Sequence, residues 1–220
     1  MPELISCLAK WQTLISGSLA VLAATGGSAI LIYQIRQAKS FESDRLDRRH
    51  KAARALLPLV LSALIDYSRS AAADLKNFHL ASHGNVVDRN ALNAWQIPPV
   101  PHDEIRTLTD VVEAASNEVA TAIADLIGDI QVQAARLRGL QSETRVTSKT
   151  DLEEYILDVA EIYAQCENMF DYARRETDIV RPEIKYEDMR RSLRLMNFYD
   201  AQFGELMETV ARRYPQNQSA

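Results

Sequence analysis

The sequence predicts an all-α protein: one N-terminal transmembrane helix, then a cytoplasmic bundle of three or four long helices. Three observations predict it. Residues 11–35 carry no charged side chain, whereas charges are spread through the rest of the chain. From residue 103 onward apolar residues recur every three or four positions. No segment alternates apolar and polar residues as a half-buried strand does, and no hairpin turn or internal repeat stands out.

The composition is that of a globular chain. Of 220 residues, 47% are hydrophobic and 25% charged, and only 2 are cysteine, which excludes disordered, collagen-like and disulfide-scaffold classes.

Residues 1–10 are expected to be a short extracytoplasmic N-terminus, and residues 11–35 the span. The uncharged run lies between Lys10 and Arg36. A helix rises about 1.5 Å per residue, so about 20 residues cross a hydrocarbon core about 30 Å thick. Trp11 and Tyr33 stand near its ends, where amphipathic rings favour the interface. A cleaved signal peptide fits less well. Glu3 and Lys10 do not make a basic leader, and the apolar run resumes at Ile30-Leu31-Ile32 beyond any cleavage point.

Basic residues set the orientation. Only Lys10 precedes the run, while Arg36, Lys39, Arg45, Arg48, Arg49, Lys51 and Arg54 follow it. The expectation is a cell-membrane protein of the bacterial inner-membrane kind, its N-terminus outside and its C-terminal domain cytoplasmic. Cys7 and Cys166 then lie on opposite sides and cannot pair within one chain.

Ser16, Ala20, Ala24 and Ser28 repeat every four positions, with Ala23 and Gly27 beside them. Small residues at this spacing let helix backbones approach closely in a membrane, so they predict a homo-oligomer seam.

Residues 36–54 are expected to continue as a basic juxtamembrane helix. They hold seven basic and three acidic residues, whereas residues 55–220 carry a net charge of −9. Asp44 with Arg48, and Asp47 with Lys51, are spaced to pair across one helical turn. The seven basic residues are assigned to topology and to contact with anionic lipid headgroups. The acidic remainder makes nucleic acid an unsuitable partner.

Residues 55–214 form the predicted helical cytoplasmic domain. The uncharged stretch 55–65 is too short to span and reads as a core or interfacial helix, with Pro58 either kinking it or opening a new one. It runs to about His79. Residues 81–103 form a long Pro-containing connection, with turn chemistry at Ser82–Asn85, a short helix within Asp88–Trp95, and Trp95 as a strap across the bundle.

One helix of about 37 residues is expected from Asp103 to Gly139, along Ile105, Leu108, Val112, Val119, Leu126 and Ile130. After a polar loop, Thr150-Asp151-Leu152-Glu153 matches a capping box. The helix it opens buries Leu152, Ile156, Val159, Ile162, Cys166, Met169 and Ala173. A last helix is expected from Glu183 to Arg213, and residues 215–220 as a disordered tail. The heptad-like spacing also suits an intermolecular coiled coil.

Chemical motifs are few. A dinuclear metal bundle needs Glu-x-x-His, and the chain has none. His79 and His83 are spaced to offer two zinc ligands on one helical face, or simply two solvated histidines at a helix end. Asp125 and Asp129 read as a solvated face. Cys166 lies on an apolar stripe beside Glu167, which makes it a poor nucleophile. No phosphate-binding glycine loop and no Gly-x-Ser-x-Gly is present. Tyr155, Tyr163, Phe170 and Tyr172 on one helix and Phe198, Tyr199, Phe203 and Tyr214 on the next suit core packing, or a groove for a partner. No cofactor, metal or catalytic residue is therefore assigned.

The function expected is a non-enzymatic, membrane-anchored interaction or scaffold module with a protein partner of unknown identity. A membrane-linked signalling subunit is the alternative, transmitting through the helix after the span. An enzyme with a site assembled from scattered residues comes third.

Overall fold

The computed structural model describes residues 2–142 and 146–214, with side chains from Leu31 onward. Among the described residues the chain is all-helical and has no strand. It divides into two compact units, Met1–Arg48 and Arg49–Ala220. The side chains of the expected span before Leu31, Trp11 and the six seam residues among them, lie outside the described residues. So does the expected tail, 215–220.

Helix α1 is Pro2–Ala81. Its part in the first unit shows only exposed side chains from Leu31 to Arg48, including Leu31, Ile32, Tyr33, Ile35, Phe41 and Leu46. Its part in the second unit is a core helix. Leu57, Leu61, Leu64, Ala71, Ala72 and Leu75 are fully buried at helical spacing, so one face of the stretch 55–65 is interior while Leu56 and Leu59 on the other are exposed. Among the described residues one stretch within Leu31–Ala81 is long and apolar enough to cross a membrane. Half of it is buried inside the protein, as in a core helix. Pro58 neither ends α1 nor opens a second helix, and the Ser62 hydroxyl donates to the Pro58 carbonyl at 2.8 Å.

The connection after α1 is anchored at several points. Gly84, at φ 63°, makes the tight turn that closes His83 on Val86. Val87 N donates to Thr147 O at 3.0 Å, fastening the connection to the segment before Ser148. Helix α2, Arg89–Asn93, starts at Asp88, whose side chain accepts from Asn90 N. Trp95 is the expected strap. Its indole donates to Asp74 at 2.9 Å, its ring meets Phe78 edge-on, and its carbonyl accepts from Gln141.

The expected 37-residue helix is two: α3, His102–Val112, and α4, Asn117–Ser142. The apolar period carries across the break, which hides it. Ser116-Asn117 marks it, because Ser and Asn favour helix starts over interiors, and the Ser116 carbonyl accepts the bond from Ala120 N. Helix α5, Lys149–Ala173, is capped by Ser148 and Asp151 rather than by a box beginning at Thr150. Ser148 Oγ accepts from Asp151 N at 3.1 Å, and the Asp151 carboxylate accepts from Ser148 N at 2.8 Å. All seven residues of the expected α5 stripe are buried.

The expected last helix is also two: α6, Tyr186–Leu195, and α7, Gly204–Arg213. Asn197 ends α6 in the left-handed region at φ 67°. Phe198 N then bonds Leu193 O at 2.9 Å and Asn197 N bonds Arg194 O at 3.0 Å, the pairing that closes a helix with a left-handed residue. Arg175 ends α5 in the same way at φ 65°. Helix α5 is central. Thirteen of its residues are buried, more than one stripe requires, and α4 and α6 pack against it.

Candidate functional site: two clefts flanking α5

Few of the residues assigned from sequence come together. Tyr33 is exposed, as are Arg36 and Lys39. Arg45 faces Glu42 at 3.9 Å, and Arg48 donates to the backbone carbonyl of Asp44 rather than to its carboxylate. Arg49, half-exposed, pairs with Asp110 at 3.1 Å and Glu113 at 2.8 Å on and beside α3. Arg54 is turned inward and buried. It donates to Tyr172 O at 2.8 Å, to Thr177 O at 2.6 Å and to Asp178 at 2.9 Å. The exposed Lys51 lends its carbonyl to Arg175. Arg49 and Arg54 thus both join separate segments of the helical unit.

His79 and His83 diverge. His79 is buried against Phe203 with its Nε2 3.2 Å from Glu153, whereas His83 is exposed in the tight turn. Among the described residues no group of three or more His, Cys, Asp and Glu is placed to hold a metal. Burial pushes the Cys166 thiol far up, and the charge of Glu167 adds to it, so its thiolate does not form near neutrality.

The first cleft, about 570 Å³, runs between α4 and α5. Ala122, Val132, Met169 and Ile184 supply apolar lining. Asp125 and Asp129 line it from α4, Glu161 lines it from α5, and Arg181 borders it from the connection after α5. They stand together because i,i+4 spacing puts the two aspartates on one helical face. The Gln165 amide donates to Asp129. Burial raises the Glu161 carboxyl above its ordinary range, with the charges of Asp129 and Asp158 adding to it. Asp158, nearby on α5, is likewise raised, first by burial, while its bond to Arg136 opposes the shift.

The second cleft, about 460 Å³, lies between α1, α5 and α6 and is lined almost wholly by polar groups. Arg69 borders it from α1, Arg174 and Arg181 from the connection between α5 and α6, and Arg191 from α6. Asp66, Glu167 and Asp171 are the carboxylates among them. Sequence reading missed this cleft. Its arginines are scattered over more than a hundred positions, and no local motif joins them. The density of arginine between residues 174 and 194 was the one available signal.

No protein-family model, no curated protein and no solved structure matches the chain. Any functional reading therefore rests on these residues and their surroundings.

Proposed function

We propose that the chain is a single-pass, membrane-anchored helical protein whose cytoplasmic unit is a non-enzymatic docking module. The observation that most supports an anchor is the surface of α1 where the span would end. Leu31, Ile32, Tyr33 and Ile35 are 60%, 53%, 67% and 56% exposed. At about 100° per residue these four positions face in several directions, so no single partner helix would cover them. Apolar surface of this kind costs about 25 cal/mol per Å² in water and nothing in lipid. The uncharged run before it and the basic residues after it support the same reading, with the helical unit on the cytoplasmic side.

The first cleft supports the docking half. Apolar lining with acidic groups beside it suits an amphipathic partner segment carrying an apolar ridge and flanking basic residues. The small-residue line from Ser16 to Ser28 supports self-association of the anchor.

The test is capture of the full-length protein from detergent-solubilised native membranes, beside the variant Asp125→Lys/Asp129→Lys. A stoichiometric protein partner that is lost with the variant supports the reading. A partner retained equally by both removes the cleft from it, and recovery of no other protein removes hetero-docking. Crosslinking in membranes tests the seam separately. Ala20→Ile with Ala24→Ile should abolish the dimer band, and an unchanged band would exclude the seam.

A further inference from the structure

We propose that the second cleft binds a small phosphorylated anion, with the phosphate seated among Arg69, Arg174, Arg181 and Arg191. The proposal does not rest on the docking reading, although Arg181 borders both clefts.

Four guanidinium groups converging in one cleft repel one another unless something anionic offsets them. Four arginines against Asp66, Glu167 and Asp171 leave an excess of one positive charge here, in a domain whose residues 55–220 carry a net charge of −9. The carboxylates offset the arginines only partly. Arg69 reaches Asp66 at 3.7 Å and Arg191 reaches Glu167 at 3.8 Å, both longer than a hydrogen bond. Arg174 rests on the Phe170 ring, 5.1 Å from its centre. Arg181 has no hydrogen bond or ion pair among the described residues.

One of the four is held in position: the buried Tyr163 hydroxyl accepts from Arg69 at 3.0 Å. Arg191 stands 3.8 Å from Glu167, and Arg174, Arg181 and Arg191 are all exposed. Such an arrangement offers one positioned fork and three adjustable ones. The fork geometry of arginine matches phosphate oxygens two at a time. The volume admits a small molecule, and the polar lining suits a hydrated anion over an apolar ligand.

The phosphate could be carried by a soluble molecule or by a lipid headgroup, and the experiment separates them. Full-length protein in neutral phosphatidylcholine nanodiscs is titrated with inorganic pyrophosphate by calorimetry at low salt. The expected result is saturable binding that weakens about tenfold or more in Arg181→Gln, the loss expected for a charge-assisted hydrogen bond. Arg174→Gln should act in the same direction, while Arg212→Gln, on α7, leaves binding unchanged. Both test arginines are exposed, so the melting temperature should hold and a binding loss cannot be assigned to unfolding. Repeating the titration in nanodiscs containing phosphatidic acid identifies the source. Competition points to a headgroup, and unchanged affinity to a soluble ligand. No saturable binding of pyrophosphate in neutral nanodiscs, or equal loss in Arg212→Gln, overturns the proposal and leaves the arginines as a solvated ion-pair lattice.

Discussion

The guanidinium of Arg54 lies 4.0 Å from the centre of the Tyr172 ring and donates to the carbonyl of that same residue at 2.8 Å. One side chain of α1 thus grips the last turn of α5 by its face and by its backbone. It also closes the orphan carbonyls that a helix end leaves. His50 adds a 2.7 Å contact to the Tyr172 hydroxyl.

Replacing Arg54 by Ala should therefore lower stability by about 2–3 kcal/mol, because it strips several charge-assisted bonds from a buried position. For a chain of this size that is a fall in Tm of about 5–10 °C. The Asp178 side chain is 95% exposed, so Asp178→Ala should cost under about 0.5 kcal/mol. Thermal melts of the full chain in detergent, followed by circular dichroism, give both numbers. Equal losses in the two variants would show that the exposed ion pair, not the backbone grip, is what matters.

The helical class and the buried stripes of α4 and α5 were legible in the sequence because a 3.6-residue apolar period survives whatever surrounds it. The breaks were not. Val112 and Val119 keep that period across the α3–α4 junction, so only Ser116-Asn117 betrays it. Asn197 turns the chain by a left-handed backbone that glycine more often supplies. Arg54 looked like its basic neighbours, and only tertiary packing separates a headgroup ligand from a buried clamp. The cleft arginines come from α1, the α5–α6 connection and α6, and no local rule joins residues that distant. Pro58 read as a kink or a helix start, yet α1 runs through it and Leu57 and Leu61 on either side of it are fully buried. Bending there would open the core.

Ser148, not Thr150, should carry the start of α5. Ser148→Ala is expected to cost about 1 kcal/mol, the usual loss for a side-chain cap. Thr150→Ala lies inside the helix and should stay within about 0.5 kcal/mol of the parent. Melting curves of the two variants decide it, and a larger loss at Thr150 would restore the register read from sequence.

Asn168 is 7% exposed, and neither its amide nitrogen nor its amide oxygen has a hydrogen-bond partner among the described residues. A buried amide left in this state costs about 1–3 kcal/mol. Asn168→Leu, close in shape, should raise stability by about 1–2 kcal/mol. A lower Tm would mean that the amide is satisfied by something polar, an ordered water above all, and that its role is structural.

Glu161 supplies a prediction with a definite sign. Its carboxyl is raised from 4.5, first by burial and then by Asp129 and Asp158, while a hydrogen bond from Tyr214 opposes the shift. In the window above 4.5 the folded chain therefore holds a proton that the unfolded chain has released. Stability falls as pH rises through that window and levels off once the folded carboxyl ionises. Glu161→Gln keeps the shape and the capacity to accept from Tyr214, but it removes the charge. It should match the parent at acidic pH, where both side chains are neutral, and exceed it at pH 7. Its stability profile should also be the flatter of the two, with a residual slope from Asp158, which is raised in the same direction. Melts across pH 4–8 measure both curves. Parallel curves would show that Glu161 is solvated and that the first cleft is wetter than its lining implies.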